Sequence, residues 1–161
     1  MKLPTDKPDH LDTALTGRIM KLISRAHVAL FRATNGRLGS TWRMGAGAKK
    51  PVPTLLLDHR GRKSGKHFTT PLLYLQDGPA LVVVASQGGR ADNPQWYENL
   101  VAHPDTTVQT PRSRPRPVRA RTADAGERAR LWPRLVELYA DFDNYQRWAP
   151  REIPVVILEP R

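Results

Sequence analysis

The sequence predicts an α+β fold: a small, partly open barrel of about six mostly antiparallel strands, with inserted helices and an N-terminal amphipathic helix. Two observations carry this. Short apolar runs bounded by Gly, Pro and Asp recur from Thr54 to Leu158, and helical patterns stand between them. Ahead of them, Leu11, Leu15, Ile19, Leu22, Ile23, Ala26 and Leu30 recur at spacings of three and four, which makes one apolar stripe on a helix.

The elements follow in order. Residues 1–9 are polar and Pro-containing, and are expected to form a loose arm. A helix is expected from Asp9 to about Thr34, with Asn35-Gly36 as its stop. Leu38 to Pro53 reads as a Gly- and Ala-rich connection. Strands are expected at Thr54–Asp58, Phe68–Leu75 (with Pro71 as a constraint) and Ala80–Ser86, the last rich in Val. Asn93 as N-cap and Pro94 as first helical residue open a helix to about Ala102. Strands at Thr106–Thr110 and Val118–Thr122 flank an Arg- and Pro-rich segment. Asp124 with Glu127 offers a capping box for a helix to about Tyr139, and Pro133 inside it predicts a kink or an early break near Trp132. A short helix, Asp143–Trp148, and a closing strand, Ile153–Leu158, complete the chain.

Composition limits the function. At 161 residues the chain is expected to have one core, with residues 1–36 as arm and helix and 37–161 as the barrel domain. The absence of cysteine excludes disulfides, thiolate metal sites and a Cys nucleophile. The five histidines lack metal-ligand spacing and read as surface or turn residues, so no metal is expected. No apolar run reaches the roughly 18 residues of a membrane span, and the N-terminus lacks a signal h-region, so the default is cytoplasmic. The net charge of +11 suits an anionic partner: nucleic acid, acidic lipid or a polyanionic cofactor. The run Arg112, Arg114, Arg116, Arg119 and Arg121 reads as a solvated hairpin, with no nucleic-acid motif beside it.

The segment from Leu55 to Pro104 concentrates the chemistry. Arg62, Lys63 and Ser64 sit in a Gly-bounded turn, where guanidinium, ammonium and hydroxyl donors could meet phosphate. Such a turn is equally good hairpin chemistry. Ser86, Gln87, Gly88 and Gly89 form a second turn, where glycines let backbone N–H groups approach a ligand. Trp96 and Asn99 lie three apart on one helix face, either as cofactor wall and contact or as core and surface amide. Tyr139, Phe142, Tyr145 and Trp148 recur every three residues, with a lid over a pocket mouth favoured over plain core.

GRKSG…TTPLLYL, ASQGG, NPQWYENLVAHP and REIPVVILEP together resemble the deazaflavin-dependent nitroreductase family of actinobacteria, over roughly residues 50–160. The resemblance implies a split β-barrel of the flavin-reductase type. It also implies an oxidoreductase that passes a hydride from reduced coenzyme F-420, an 8-hydroxy-5-deazaflavin, to an electron-poor acceptor such as a quinone or activated alkene. Arg62, Lys63, Ser64, Ala85, Ser86, Gln87, Gly88, Gly89, Pro94, Trp96 and Asn99 would hold the cofactor. Tyr139 and Tyr145 would be catalytic, and Phe142 and Trp148 would line the substrate pocket. Gln87 stands where the family usually has Lys, Phe68 where a basic residue is common, and Phe142 lacks the phenol of the family's tyrosine. The last departure predicts poor nitroimidazole reduction.

Two other classes stay open: a flavin mononucleotide (FMN) reductase on the same barrel, and a non-enzymatic basic protein that binds anionic membrane or nucleic acid. A monomer is expected. The N-terminal helix either packs on the barrel or lies on anionic lipid, which would place the protein on the inner face of the plasma membrane.

Overall fold

The computed structural model describes residues 6–161, so part of the arm expected over residues 1–9 lies outside the described residues. Helix α1 spans Ala14–Ala33, starting later than the stripe suggests. The hydroxyls of Thr13 and Thr16 both donate to the carbonyl of His10, at 2.8 and 2.7 Å, which fixes a turn there. Thr13 then caps the helix by accepting from the Thr16 N–H. Local threonine bonds of this kind compete with helix extension.

The strands are β1 Thr41–Trp42, β2 Val52–Arg60, β3 His67–Leu73, β4 Leu75–Asp77, β5 Ala80–Val84, β6 Asp105–Gln109, β7 Arg116–Thr122 and β8 Val155–Pro160. Helices α2 Gln95–Ala102, α3 Ala125–Leu138 and α4 Asp141–Trp148 lie between them, with short 3-10 turns at Gly45–Ala48 and Gln87–Gly89. All pairings are antiparallel. The expected connection over Leu38–Pro53 therefore contains structure, because β1 pairs Thr41 with Pro53 and Trp42 with Val52. A two-residue strand is too short to carry a periodic signal.

The strand expected over Phe68–Leu75 is bent at Tyr74 into β3 and β4. β3 pairs with β2 and β4 with β5, while β2, β6, β7, β8 and β5 pair in that order. The bent strand thus links the two sides of a curled six-stranded barrel, to which β1 adds an edge. Pro71 is accommodated because β3 pairs with β2 alone among the strands, so its missing N–H faces no ladder.

Inside the barrel Leu55, Leu57, Leu81, Val83, Ala85, Trp96, Val108, Val118, Val156 and Leu158 form one core cluster. Outside it, Val82, Val84, Val155 and Ile157 meet Leu131 and Leu135 of α3 and Phe142 of α4. β5 and β8 are covered on both faces, which explains their unbroken aliphatic runs. The expected capping box is present: Asp124 accepts from the Glu127 N–H at 2.8 Å and Glu127 from the Asp124 N–H at 3.0 Å. The break expected near Trp132 is absent, and α3 runs through Pro133. Leu131 and Leu135, on either side of the proline, are fully buried, and their packing outweighs the roughly 3 kcal/mol cost of an interior proline.

α1 is tied down at its ends. At its start Asp12 accepts from the Ala91 N–H at 3.2 Å. At its end Phe31 is buried, and Arg32 donates to Asp58 and Thr69 at 3.1 and 2.8 Å. Between them the apolar stripe is uncovered: Leu15 is 67% exposed, Leu22 69% and Ile23 53%. Of the two readings of this helix, packing on the barrel holds at its end, at Phe31 and Arg32, and not along its stripe. Among the described residues no helix is long and apolar enough to cross a membrane.

Candidate functional site

The β2–β3 hairpin ends in the basic turn. Gly61 N–H donates to the Lys66 carbonyl and Gly65 N–H to the Gly61 carbonyl, both at 2.8 Å, which closes the loop on itself. Ser64 accepts from the Lys66 N–H at 3.3 Å. Arg62 forms an ion pair with Glu98 of α2. Lys63 is exposed and has no ion-pair partner among the described residues.

Asn99 reaches this turn from the same helix. Its Oδ1 accepts from the Arg62 backbone N–H at 3.0 Å, and its Nδ2 donates to His59 Nδ1 at 2.9 Å. His59 Nε2 lies 2.9 Å from the Thr70 hydroxyl. Asn99 is buried, as is Trp96, which belongs to the barrel interior. His59, expected at the surface or in a turn, is only 6% exposed. A signal for this existed: His59 follows Leu55 and Leu57 at period two on β2, so it shares their inward face. Burial pushes its pKa down to about 4, so the ring is neutral.

The second turn follows β5. Gln87, Gly88 and Gly89 have positive φ of 47°, 68° and 84°. A Cβ on Gly89 would sit 3.0 Å from the Tyr145 backbone, so only glycine lets this turn close on α4. Arg151, the first residue of the REIPVVILEP motif but not among the expected site residues, gathers the surrounding loops. Its guanidinium donates to the carbonyls of Ala85, Ser86, Ala91 and Asp92 at 3.0–3.3 Å. Gln87 Oε1, Asn93 Oδ1 and Arg151 Nη1 are buried with no hydrogen-bond partner among the described residues. Such unpaired groups are unusual in a folded protein and call for a polar partner, an ordered water or a ligand. Pro94 occupies the N-cap of α2, one residue before its expected place.

The aromatic stripe is a packed group, not a surface lid. Tyr139 and Phe142 are 3% and 4% exposed, and their rings meet edge-on at 5.1 Å. Tyr145 is half-buried, with its phenol 3.3 Å from that of Tyr139 and its ring 5.8 Å from Trp148. Burial raises the pKa of both phenols, so both stay protonated at neutral pH. The buried Asp141 accepts from the Ala46 N–H at 2.7 Å, and a Cβ on Gly45 would clash with it. Asp141 thereby anchors the 45–48 turn to α4.

The two turns are joined by one stretch of chain. The 86–89 turn leads through residues 90–94 into α2, and α2 supplies Glu98 and Asn99 to the basic turn. Two of the five arginines of the β6–β7 run are paired: Arg119 bonds Asp105, and Arg121 bonds Glu127 and Glu159. Among the described residues no group of His, Asp and Glu is arranged to hold a metal.

Comparison with known proteins identifies the family. A solved structure described as an F420-H2 dependent reductase is 36% identical, with a TM-score of 0.61, and the match covers 66% of this chain and 94% of that one. A second solved structure, described as a domain-swapped dimer, is 29% identical with a TM-score of 0.64, over 91% of this chain and 100% of the other. The Mycobacterium tuberculosis protein Rv3178 is 61% identical over 119 residues, which are 74% of this chain and 99% of its own. A family model described as F420H(2)-dependent quinone reductase matches residues 23–160, and the chain belongs to that family.

Proposed function

We propose that this chain carries out the reaction of its family, hydride transfer from reduced coenzyme F-420 to a quinone. In this reading the cofactor's phosphate is anchored at the 61–66 turn and its ring lies against the 86–89 turn. The observation that carries the reading is Lys63. It is an exposed cation without an ion-pair partner among the described residues, on a turn held from behind by Asn99. The residues present fit the group. Lys63, Ser64 and a half-exposed Arg62 offer charged and neutral donors to phosphate. The glycine turn and the unpaired polar atoms beside it suit a planar ring with polar edges.

When bound, the cofactor supplies the hydride. The protein's part is to bind, orient and exclude water. Trp96 and Asn99 stiffen α2 behind the cofactor, and Ala85 and Pro94 bracket the loop that Arg151 gathers. Tyr145, with Tyr139 behind it, offers a neutral phenol to the acceptor oxygen. Its raised pKa favours hydrogen-bond donation over full proton release, so solvent supplies the proton. Phe142 and Trp148 complete an apolar wall.

Calorimetric titration with oxidised and reduced coenzyme F-420 tests the anchor. Lys63→Ala is expected to weaken binding by about 1.5–3 kcal/mol, the range for a hydrogen bond to a charged group, with little change in folding. Unchanged affinity in the Arg62/Lys63 double alanine variant would overturn the assignment.

The uncovered stripe of α1 supports a peripheral position on anionic lipid. Leu15, Ile19, Leu22 and Ile23 are at least half exposed, and Arg18, Lys21 and Arg25 lie on the same helix. Each cation near an anionic surface contributes about 1 kcal/mol, so the attachment is reversible and sensitive to salt. A monomer is the working unit of this proposal, and the alternative is an assembly such as the domain-swapped dimer described for one solved relative. Light scattering of the purified protein measures this directly.

A further inference from the structure

We infer that His59 is a positioning residue for the anion turn: through Asn99 it fixes the direction in which the Arg62 backbone enters the 61–66 loop. The inference rests on the reading of that loop as the phosphate anchor.

The direction of every bond in the chain is set from one end. The Arg62 N–H can only donate, so the Asn99 atom 3.0 Å away is the carbonyl oxygen. The Asn99 amide nitrogen must then donate to His59 Nδ1, which is an acceptor and carries no proton. The ring proton sits on Nε2 and is donated to the Thr70 hydroxyl, 2.9 Å away. Burial keeps the ring in that neutral form. The ring also stacks on Phe68, at 5.6 Å and 22°, where the hairpin returns from the turn.

A polar residue at position 59 costs solvation that a leucine there would not. Leu55 and Leu57, at the preceding inward positions of the strand, are aliphatic. What the polar chain provides is geometry. Asn99 satisfies both ends of its amide only when His59 accepts, and the Arg62 N–H is then held at a fixed point. Glu98, the neighbour of Asn99, holds the Arg62 side chain. Backbone and side chain of Arg62 are thus both held by α2, which presents Arg62, Lys63 and Ser64 on one exposed turn to the ligand.

Calorimetric titration with oxidised coenzyme F-420 tests this without turnover. His59→Phe keeps an aromatic ring against Phe68 but removes the acceptor. It is expected to weaken binding about 5- to 10-fold, the size of one lost hydrogen bond. His59→Asn restores an acceptor near the Nδ1 position and should bind within about twofold of the wild type. If His59 acts through the turn, Lys63→Ala should cost less in the His59→Phe background than alone, because a displaced turn has already lost part of the lysine's contribution. Should His59→Phe fail to fold, Asn99→Leu takes its place in the same comparison. Strictly additive losses, or wild-type affinity in His59→Phe beside a loss in Lys63→Ala, would overturn the positioning role alone. Wild-type affinity in both would overturn the phosphate anchor and the positioning role with it.

Discussion

Helices α1 and α3 share one design and meet opposite fates. Each has an N-cap side-chain bond, an apolar stripe and basic residues on its remaining surface. In α3 the stripe is pressed on the barrel, with Leu131 and Leu135 fully buried against Val155 and Ile157. In α1 only Phe31 is buried, and the stripe from Leu15 to Ile23 faces outward. Amphipathic spacing tells that a helix has a dry side. It does not tell what covers it. Most helix stability in proteins comes from packing, so α3 belongs to the folded core while α1 depends on its two tethers and on whatever meets its stripe.

The largest effect that can break this comparison is truncation of one leucine in each helix. Leu135→Ala should cost about 2–5 kcal/mol in denaturant unfolding, the range for a buried leucine. Leu22→Ala should change stability by no more than about 0.5 kcal/mol, as for an exposed site. A comparable loss at both positions would show that the α1 stripe is buried in solution.

Replacement of Leu15, Ile19, Leu22 and Ile23 by serine sharpens the contrast. The wild-type chain should co-sediment with anionic vesicles at low salt and be released at high salt. The fourfold variant should fold but bind at least about tenfold more weakly, as four apolar side chains no longer leave water. Equal vesicle binding by the two would remove the lipid reading and leave the stripe for another partner.

A smaller effect concerns the caps. Asp124→Ala removes a side-chain bond of the α3 capping box and should cost about 1 kcal/mol. Thr13→Ala, at the exposed start of α1, should cost less in global unfolding, because α1 contributes less to the cooperative unit.

The smallest effect is a pH dependence. Asp77 receives hydrogen bonds from Arg130 and Arg134 of α3, which lower its pKa from 3.8 to about 2. A depressed carboxylate contributes stability that is complete above the unfolded value and is lost as pH falls through the folded one. Acid titration of the wild type should therefore show a loss between about pH 4 and 2 that Asp77→Asn lacks.

Much of the molecule was legible before any coordinate. The strand set, the capping box at Asp124 and the turn at Arg62–Ser64 follow from local chemistry, and the ordered motifs pointed to the family. The misreadings share a cause. Of the kink or early break expected at Pro133, the break is absent: the proline's cost is local, whereas the burial of Leu131 and Leu135 that outweighs it is tertiary. Arg151 opens the REIPVVILEP motif, yet its role left no mark, because its partners are backbone carbonyls, which every residue carries. His59 left a faint one, in the period-two spacing from Leu55 and Leu57.

The sequence by itself determined most of the strands and helices, where charge is concentrated and which family the chain resembles, because these depend on neighbours along the chain. Only the tertiary structure decided that buried His59 and Asn99 form one hydrogen-bonded chain with the Arg62 backbone. Only it decided that the aromatic stripe is packed beneath the surface and that the stripe of α1 is left uncovered. Those outcomes depend on which residues, distant in the chain, remove one another from water.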